Sequence, residues 1–233
     1  MRINRYLSSA GVCSRRDADR LIEAGRVTIN GKAAVIGAEV SDQDRVFFDG
    51  KEIMLPERKV ILAYYKPVGI VVTEDRREAA NVMDAIRYPR RVTYLGRLDK
   101  DSEGLLLLSD DGELNQALMK GKNHHEKEYI VKVDHAVTEA FLDAMRKGIY
   151  LPELETRTRK CEVQKTADDT FSIILTQGLN RQIRRMCKEL GFRVVALKRI
   201  RIENILLGDL RPGELRELTE EEESSLRERI QMK

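Results

Sequence analysis

Leu105 to Leu108 are four consecutive leucines, and they follow directly on the segment GRLDKDSEG (96–104). A run that apolar has no polar face to turn to water. It must be buried on both sides, and its length suits an inner strand of a sheet. Just before it, Arg97, Asp99, Lys100, Asp101 and Glu103 place five ionisable residues within seven positions, between Gly96 and Gly104. A solvated turn needs polarity but not that density. A charged loop anchored on a buried strand is therefore the first place to look for chemistry.

The rest of the chain divides by pattern. Ile3, Leu7 and Ala10 recur at helical spacing until Gly11. Ser14 offers an N-cap with Asp17 three residues on, a variant of the capping box, and Ala18, Leu21 and Ile22 stripe a second helix that Gly25 stops. Val27 and Ile29 alternate into Asn30-Gly31, and Asp49-Gly50 marks a second hairpin. Residues 1–55 thus read as a small module, 56–59 as a linker and 60–233 as the main domain. In the latter, strands are expected at 60–65, 69–73, 105–109, 127–133, 170–176 and 192–202. Helices are expected at 113–120, 138–147 and 180–190, and Thr219 with Glu222 caps a short acidic terminal helix. Because helices do not alternate regularly with strands, the fold class is α+β with a mixed sheet rather than a doubly wound parallel one.

No apolar run approaches the ~18 residues of a membrane span, and no apolar region follows Met1 as in a signal peptide. Cys13, Cys161 and Cys187 are far apart and odd in number, with no spacing that suggests a metal site or a disulfide framework. A reduced, cytoplasmic, soluble protein is expected. No apolar surface stripe asks for a second chain, so a monomer is the default.

Net charge is only +3, but it is unevenly spread. Residues 1–32 carry seven basic and three acidic side chains, and 178–203 carry eight and two. Residues 204–233 reverse the balance, with five basic and eight acidic. Two foci of positive charge suit a protein that holds a phosphate backbone in two regions. In the first focus Arg2 and Arg5 share a helix face, as do Arg16 and Arg20, and Arg15, Arg26 and Lys32 add to the same body. In the second, Arg181, Arg184, Arg185 and Lys188 fall at i, i+3, i+4 and i+7, opposite an apolar stripe of Ile183, Met186, Cys187 and Leu190. None of the four cations has an acid three or four residues before it. A face so charged is expected to meet an external anion.

GRLDKDSEGLLLLSDDGEL (96–114) resembles the signature of the RsuA/RluB/RluE/RluF family of bacterial pseudouridine synthases. YKPVGIVVT (65–73), HEKEYIVKV (125–133), QGLNRQIRRMCKELGF (177–192) and LKRIRIENI (197–205) match further family motifs in order, and residues 1–32 are similar to a small RNA-binding module of a ribosomal protein. GLNRQIRRMC and NHHEKEY are most similar to the RluF type, which acts on large-subunit rRNA.

The resemblance implies an isomerase that detaches uracil from ribose, rotates it and rejoins it through carbon 5, with no cofactor and no metal. It implies Asp99 as the essential acid, attacking either sugar or base. Tyr129 would pack on the target uracil, a contact of ~1–3 kcal/mol. Arg184 would pair with the acid and keep it charged, with Arg181 and Arg185 as alternatives on the same helix. Arg97 would fill the gap left by the flipped nucleotide. RNA contacts are expected from Arg2, Arg5, Arg15, Arg16, Arg20, Lys32, Arg181, Arg185 and Lys188. Lys66, before Pro67 at a strand end, either joins them or caps the strand. Lys100, Asp101 and Glu103 shape the loop or meet phosphates. His124 and His125 are structural or lie near RNA, since the family chemistry needs no histidine.

The expected substrate is a stem-loop of 23S rRNA, with a tRNA as a further candidate. The rivals are a 16S rRNA specificity, a non-catalytic RNA-binding assembly factor and, more distantly, a glycosidic hydrolase. The last lacks a second carboxylate at a known spacing.

Overall fold

The computed structural model of the protein describes residues 1–75, 77–119 and 124–231. Lys120, at the end of one expected helix, and Asn123, in the NHHEKEY segment, lie outside them. The described chain separates into two compact units. The first comprises residues 1–60 with 88–93 and 109–112, and the second holds the remainder.

The first unit opens with α1 (Ile3–Ser9) and α2 (Arg15–Glu23). Strands β1 (Val27–Ile29), β2 (Lys32–Ala33), β3 (Val46–Phe48) and β4 (Lys51–Ile53) form an antiparallel sheet in the order β2-β1-β3-β4. Ser14 Oγ accepts the Asp17 N–H at 3.2 Å, as the cap pattern predicts. Both hairpins turn through left-handed pairs, Asn30 and Gly31 at φ 53° and 79°, Asp49 and Gly50 at φ 48° and 77°. Two positive φ values in succession are what the primed turns require and why Asn-Gly and Asp-Gly stand there. Ile3, Leu7, Ala18, Ile22, Val27 and Val46 fill the core of this unit.

The second unit is built on a nine-stranded sheet. Its strands are β5 (Ile61–Lys66), β6 (Thr93–Leu95), β7 (Glu103–Ser109), β8 (Lys127–Val133), β11 (Glu162–Ala167), β12 (Thr170–Leu175), β13 (Val194–Ile202), β14 (Ile205–Leu206) and β15 (Leu215–Glu217). The main order is β11-β12-β8-β13-β7-β5-β15, with β6 on β7 and β14 on β13. β7 and β13 run parallel, whereas β11–β12, β12–β8, β8–β13 and β15–β5 are antiparallel. The mixed α+β sheet expected from the irregular alternation is the one observed. A separate small ribbon pairs β9 (Tyr150–Leu151) with β10 (Thr156–Arg157).

Helices α3 (Val82–Ala85), α4 (Gly112–Met119), α5 (Glu139–Lys147), α6 (Gln182–Glu189) and α7 (Glu220–Gln231) complete the chain. Leu105, Leu106, Leu107 and Leu108 are all fully buried, so the run of leucines is an inner strand. Leu105 and Leu107 join Ile61, Ala63, Leu226 and Ile230 in one core. A second core gathers Val131, Phe141, Met145, Ile173, Met186, Cys187 and Leu197. The acidic terminal helix α7 therefore packs through Leu226 and Ile230. Thr219 and Glu222 cap it reciprocally at 3.0 and 3.2 Å.

Residues 69–73 are not the strand their composition suggests. Gly69 takes φ 92° and gives its N–H to the Lys100 carbonyl, and only Val71 bridges, to Asn81. β-branched residues favour a strand only where a neighbouring strand is there to pair.

Candidate active site

The charged loop joins β6 to β7, and its backbone is held carbonyl by carbonyl. Arg199 Nη1 donates to the Arg97 carbonyl at 3.3 Å, and the Ser102 N–H to that of Asp99 at 3.1 Å. The Gly69 N–H donates to Lys100 O at 2.7 Å, and Arg184 Nη2 to Asp101 O at 2.8 Å. Ser102, fully buried, closes the loop where Arg184 Nη2 also reaches its Oγ at 3.3 Å. Gly96, at φ 82°, makes the turn out of β6. A loop tied at four carbonyls presents its side chains with little freedom left, which is what a reacting group requires.

The side chains it presents line a pocket of about 530 Å3. Its lining includes Arg97 and Asp99 from the loop, Tyr129 and Arg199 from β8 and β13, and Gly178, Arg181 and Arg184 from the start of α6 and the turn before it. Tyr129 on β8 sits directly opposite Arg199 on β13 in the sheet register, which places both on one face. Arg97 is exposed, and the Asp99 carboxylate keeps 30% of its surface open. An accessible carboxylate on a fixed loop, with an aromatic ring and guanidinium groups around one pocket, can act as a nucleophile towards a flat, polar ring.

The cation that reaches Asp99 is Arg181, not Arg184. Arg181 Nη1 lies 3.6 Å from Asp99 Oδ2. Arg184 is spent on the loop backbone, on Ser102 and on the Asp101 carboxylate at 3.4 Å. Burial draws the Arg184 guanidinium down from its ordinary value, opposed chiefly by Asp101. Arg181 gains its reach from an unusual position. It is the N-cap of α6 with a left-handed backbone, φ 50°, so the side chain leaves the helix line.

The family model for RNA pseudouridylate synthase matches residues 60–189, and that for the S4 domain matches residues 1–46. The dual-specificity RNA pseudouridine synthase RluF of Escherichia coli (strain K12) is 47% identical over 224 residues, spanning 95% of this chain and 77% of that protein. The chain belongs to the RNA pseudouridylate synthase family. The ribosomal large subunit pseudouridine synthase B of Bacillus subtilis (strain 168) is 34% identical across 97% of this chain and 95% of that one. A crystal structure of a pseudouridylate synthase superposes with a TM-score of 0.71 at 29% identity, covering 97% and 99% of the two chains. The protein is an RNA pseudouridine synthase, an isomerase with an N-terminal RNA-binding S4 domain.

Several residues of this synthase lie elsewhere than expected. Lys66 is no surface cation. It is fully buried at the end of β5, and its Nζ donates to the Pro67 carbonyl at 2.8 Å. Burial pulls its ammonium from 10.5 to about 8, with Asp101 and then Asp99 opposing. The cationic face of α6 also has anions within the chain. Glu153 pairs with Arg185 and, at 2.8 Å, with Lys188, and Asp101 takes Arg181 and Arg184. These partners lie 32 to 83 residues away along the chain, so helix spacing could not reveal them.

In the S4 unit Arg2, Arg15, Arg16, Arg20 and Lys32 are exposed, and Arg5 is half-buried. Arg20 stands 3.6 Å from Asp17, and Arg26 is bound to Asp49. His124 and His125 line the pocket. His125 is buried, with Nδ1 2.9 Å from Glu203 Oε1 and Nε2 donating to the Ala117 carbonyl at 3.1 Å. It ties α4 to the turn after β13. Cys187 belongs to the core.

Arg199 is the pocket residue that sequence reasoning passed over, buried at 2% exposure. Its signal was present: it stands two residues after Leu197, on the inward alternation of LKRIRI. A cation at an inward position of a strand needs buried acceptors, and the loop carbonyls are those acceptors.

Proposed function

We propose that this synthase isomerises one uridine of 23S rRNA, with Asp99 as the nucleophile and the target base flipped out of its stem. What carries the reading is the combination of Asp99, half-buried on a loop fixed at four carbonyls, with Tyr129 in the same pocket. The N1–C1′ bond of uridine breaks, the ring turns, and a C5–C1′ bond forms. The C5 proton is lost and N1 gains one, so no redox partner and no cofactor is needed. The Tyr129 ring would stack on the uracil, and Arg181 would hold a cation near Asp99, with Arg184 bracing the loop beneath it. Arg97, exposed beside Asp99, would enter the duplex as the nucleotide leaves, offsetting unstacking of a few kcal/mol.

The large-subunit assignment is supported by the relative named for that subunit, at 34% identity. The 47% identical RluF carries dual specificity in its name, which supports assaying tRNA as the second RNA. Arg2, Arg5, Arg15, Arg16, Arg20 and Lys32 would hold phosphates and set position, leaving target choice to RNA shape and the flipped base. The protein would act in the bacterial cytoplasm as a monomer of two domains, an RNA-binding module at 1–55 and a catalytic domain from 60.

The test is tritium release from transcripts labelled at carbon 5 of uridine. Release from 23S but not 16S transcripts, abolished by Asp99→Asn, is the expected result. Release only from 16S would reassign the substrate. No release from any RNA that both proteins still bind would leave an RNA-binding factor.

A further inference from the structure

Asp101 stands two residues after Asp99, on the same fixed loop, and it pairs with two of the cations that line the pocket, Arg181 and Arg184. Its carboxylate grips Arg181 in a two-pronged pair, Nη1 to Oδ1 at 3.1 Å and Nη2 to Oδ2 at 2.9 Å. The same carboxylate lies 3.4 Å from Arg184. Among the described residues Asp99 is left with a single cation within 4 Å, Arg181 at 3.6 Å, an ion-pair distance outside hydrogen-bond range. The hydrogen bond from Arg181 holds the Asp101 carboxyl below its ordinary range, with Arg184 adding to the effect, so Asp101 is an anion at neutral pH.

We infer that Asp101 is a positioning residue that engages Arg181 and so keeps it from closing on Asp99. The inference rests on the reading of Asp99 as the attacking acid. A guanidinium fork matches a carboxylate, and once paired both oxygens carry charge-assisted bonds. A nucleophile so engaged has its lone pairs occupied. A cation a little beyond contact stabilises the carboxylate without occupying it. Arg181 is free to make either pairing: its side chain is 41% exposed, and among the described residues the carboxylates within 4 Å of it are those of Asp99 and Asp101. With Asp101 neutral, its best remaining partner is Asp99.

The carboxylate acts separately from the loop shape. Arg184 braces the loop through the Asp101 main-chain carbonyl and Ser102, and both survive in Asp101→Asn. The experiment is steady-state tritium release by the full-length protein on a 23S transcript, for Asp101→Asn, Asp101→Glu, Asp101→Asn with Arg181→Gln, and Asp99→Asn. Asp101→Asn is expected to lower kcat at least tenfold while KM for RNA stays level or falls, because a half-exposed anion has left the loop beside the pocket. Removing Arg181 from that background should raise kcat several-fold again, and Asp101→Glu should recover part of the rate.

A kcat for Asp101→Asn within twofold of the parent would overturn the inference. So would a loss in which KM rises in step and Arg181→Gln gives no relief, which is the mark of a damaged loop. If Asp99→Asn is inactive while either result is found, only the role of Asp101 falls. If Asp99→Asn still releases tritium, the acid itself is misassigned and the inference falls with it.

Discussion

Gly104 and Arg199 face each other across the parallel pairing of β7 and β13, and a Cβ on Gly104 would stand 2.2 Å from the Arg199 carbonyl oxygen. Gly104 also takes φ 105°, which side chains other than hydrogen rarely allow. The close approach brings the Arg199 strand against the start of β7, where its guanidinium meets both ends of the Asp99 loop.

Gly104→Ala should therefore cost stability on the order of 2–5 kcal/mol, from the positive φ and the overpacking together. The variant is expected to unfold at a lower urea concentration and to lose rate along with the loop geometry. An unchanged midpoint would mean that β7 can move off β13 at little cost.

Arg199→Met tests the other side of that contact. Nε donates to Leu105 O at 2.7 Å and Nη1 to Arg97 O at 3.3 Å, so two carbonyls at opposite ends of the loop lose a donor. Each loss costs about 1–3 kcal/mol where water cannot replace the donor. The expected signature is faster amide exchange at residues 97–102 and a lower kcat, with RNA affinity nearly unchanged. Full activity in this variant would show that Gly69, Ser102 and Arg184 hold the loop alone.

What was legible beforehand follows from the range of each interaction. Hairpins at Asn30-Gly31 and Asp49-Gly50, the caps at Ser14 and Thr219, and the burial of Leu105–Leu108 depend on neighbours within a few residues. The density of charge at 97–103 likewise marked the loop. The partners of that charge were not legible, because Asp101 meets Arg181 and Arg184 across 80 and more positions. Lys66 stayed open between an RNA contact and a strand cap for the same reason: only the sheet around β5 buries it, with its ammonium on the Pro67 carbonyl.

Lys66 carries a pH signature. Its folded value of about 8 lies below the ordinary 10.5, so between those values the unfolded chain holds a proton that the folded chain has shed. Stability should rise with pH through that window, by up to about 3 kcal/mol. Burial pushes the Cys161 and Cys187 thiols up to about 11 and about 12, and they act in the opposite sense above pH 9. Comparison with Lys66→Met isolates the lysine. The variant should be more stable near neutral pH, and its advantage should shrink as pH climbs from 8 to 10.5. An advantage constant across the window would place the ammonium in contact with water.

The two basic foci should respond differently to salt. Arg15, Arg16 and Arg20 are exposed, and among the described residues the acid within 4 Å of Arg20 is Asp17 at 3.6 Å. An exposed pair of that length is worth little, so these side chains can neutralise phosphates at almost no cost. Arg185 and Lys188 share Glu153, and an RNA phosphate would have to displace that carboxylate. Each phosphate contact contributes about 0.7–0.9 to the slope of log affinity against log salt. Replacing Arg15, Arg16 and Arg20 by Gln should flatten the slope by roughly two on that scale, whereas Arg185→Gln with Lys188→Gln should flatten it by less than about one. The measurement is filter binding of a 23S transcript across a salt series. Equal flattening by both sets would mean that Glu153 yields its cations to RNA, and that α6 is as much a binding surface as the S4 unit.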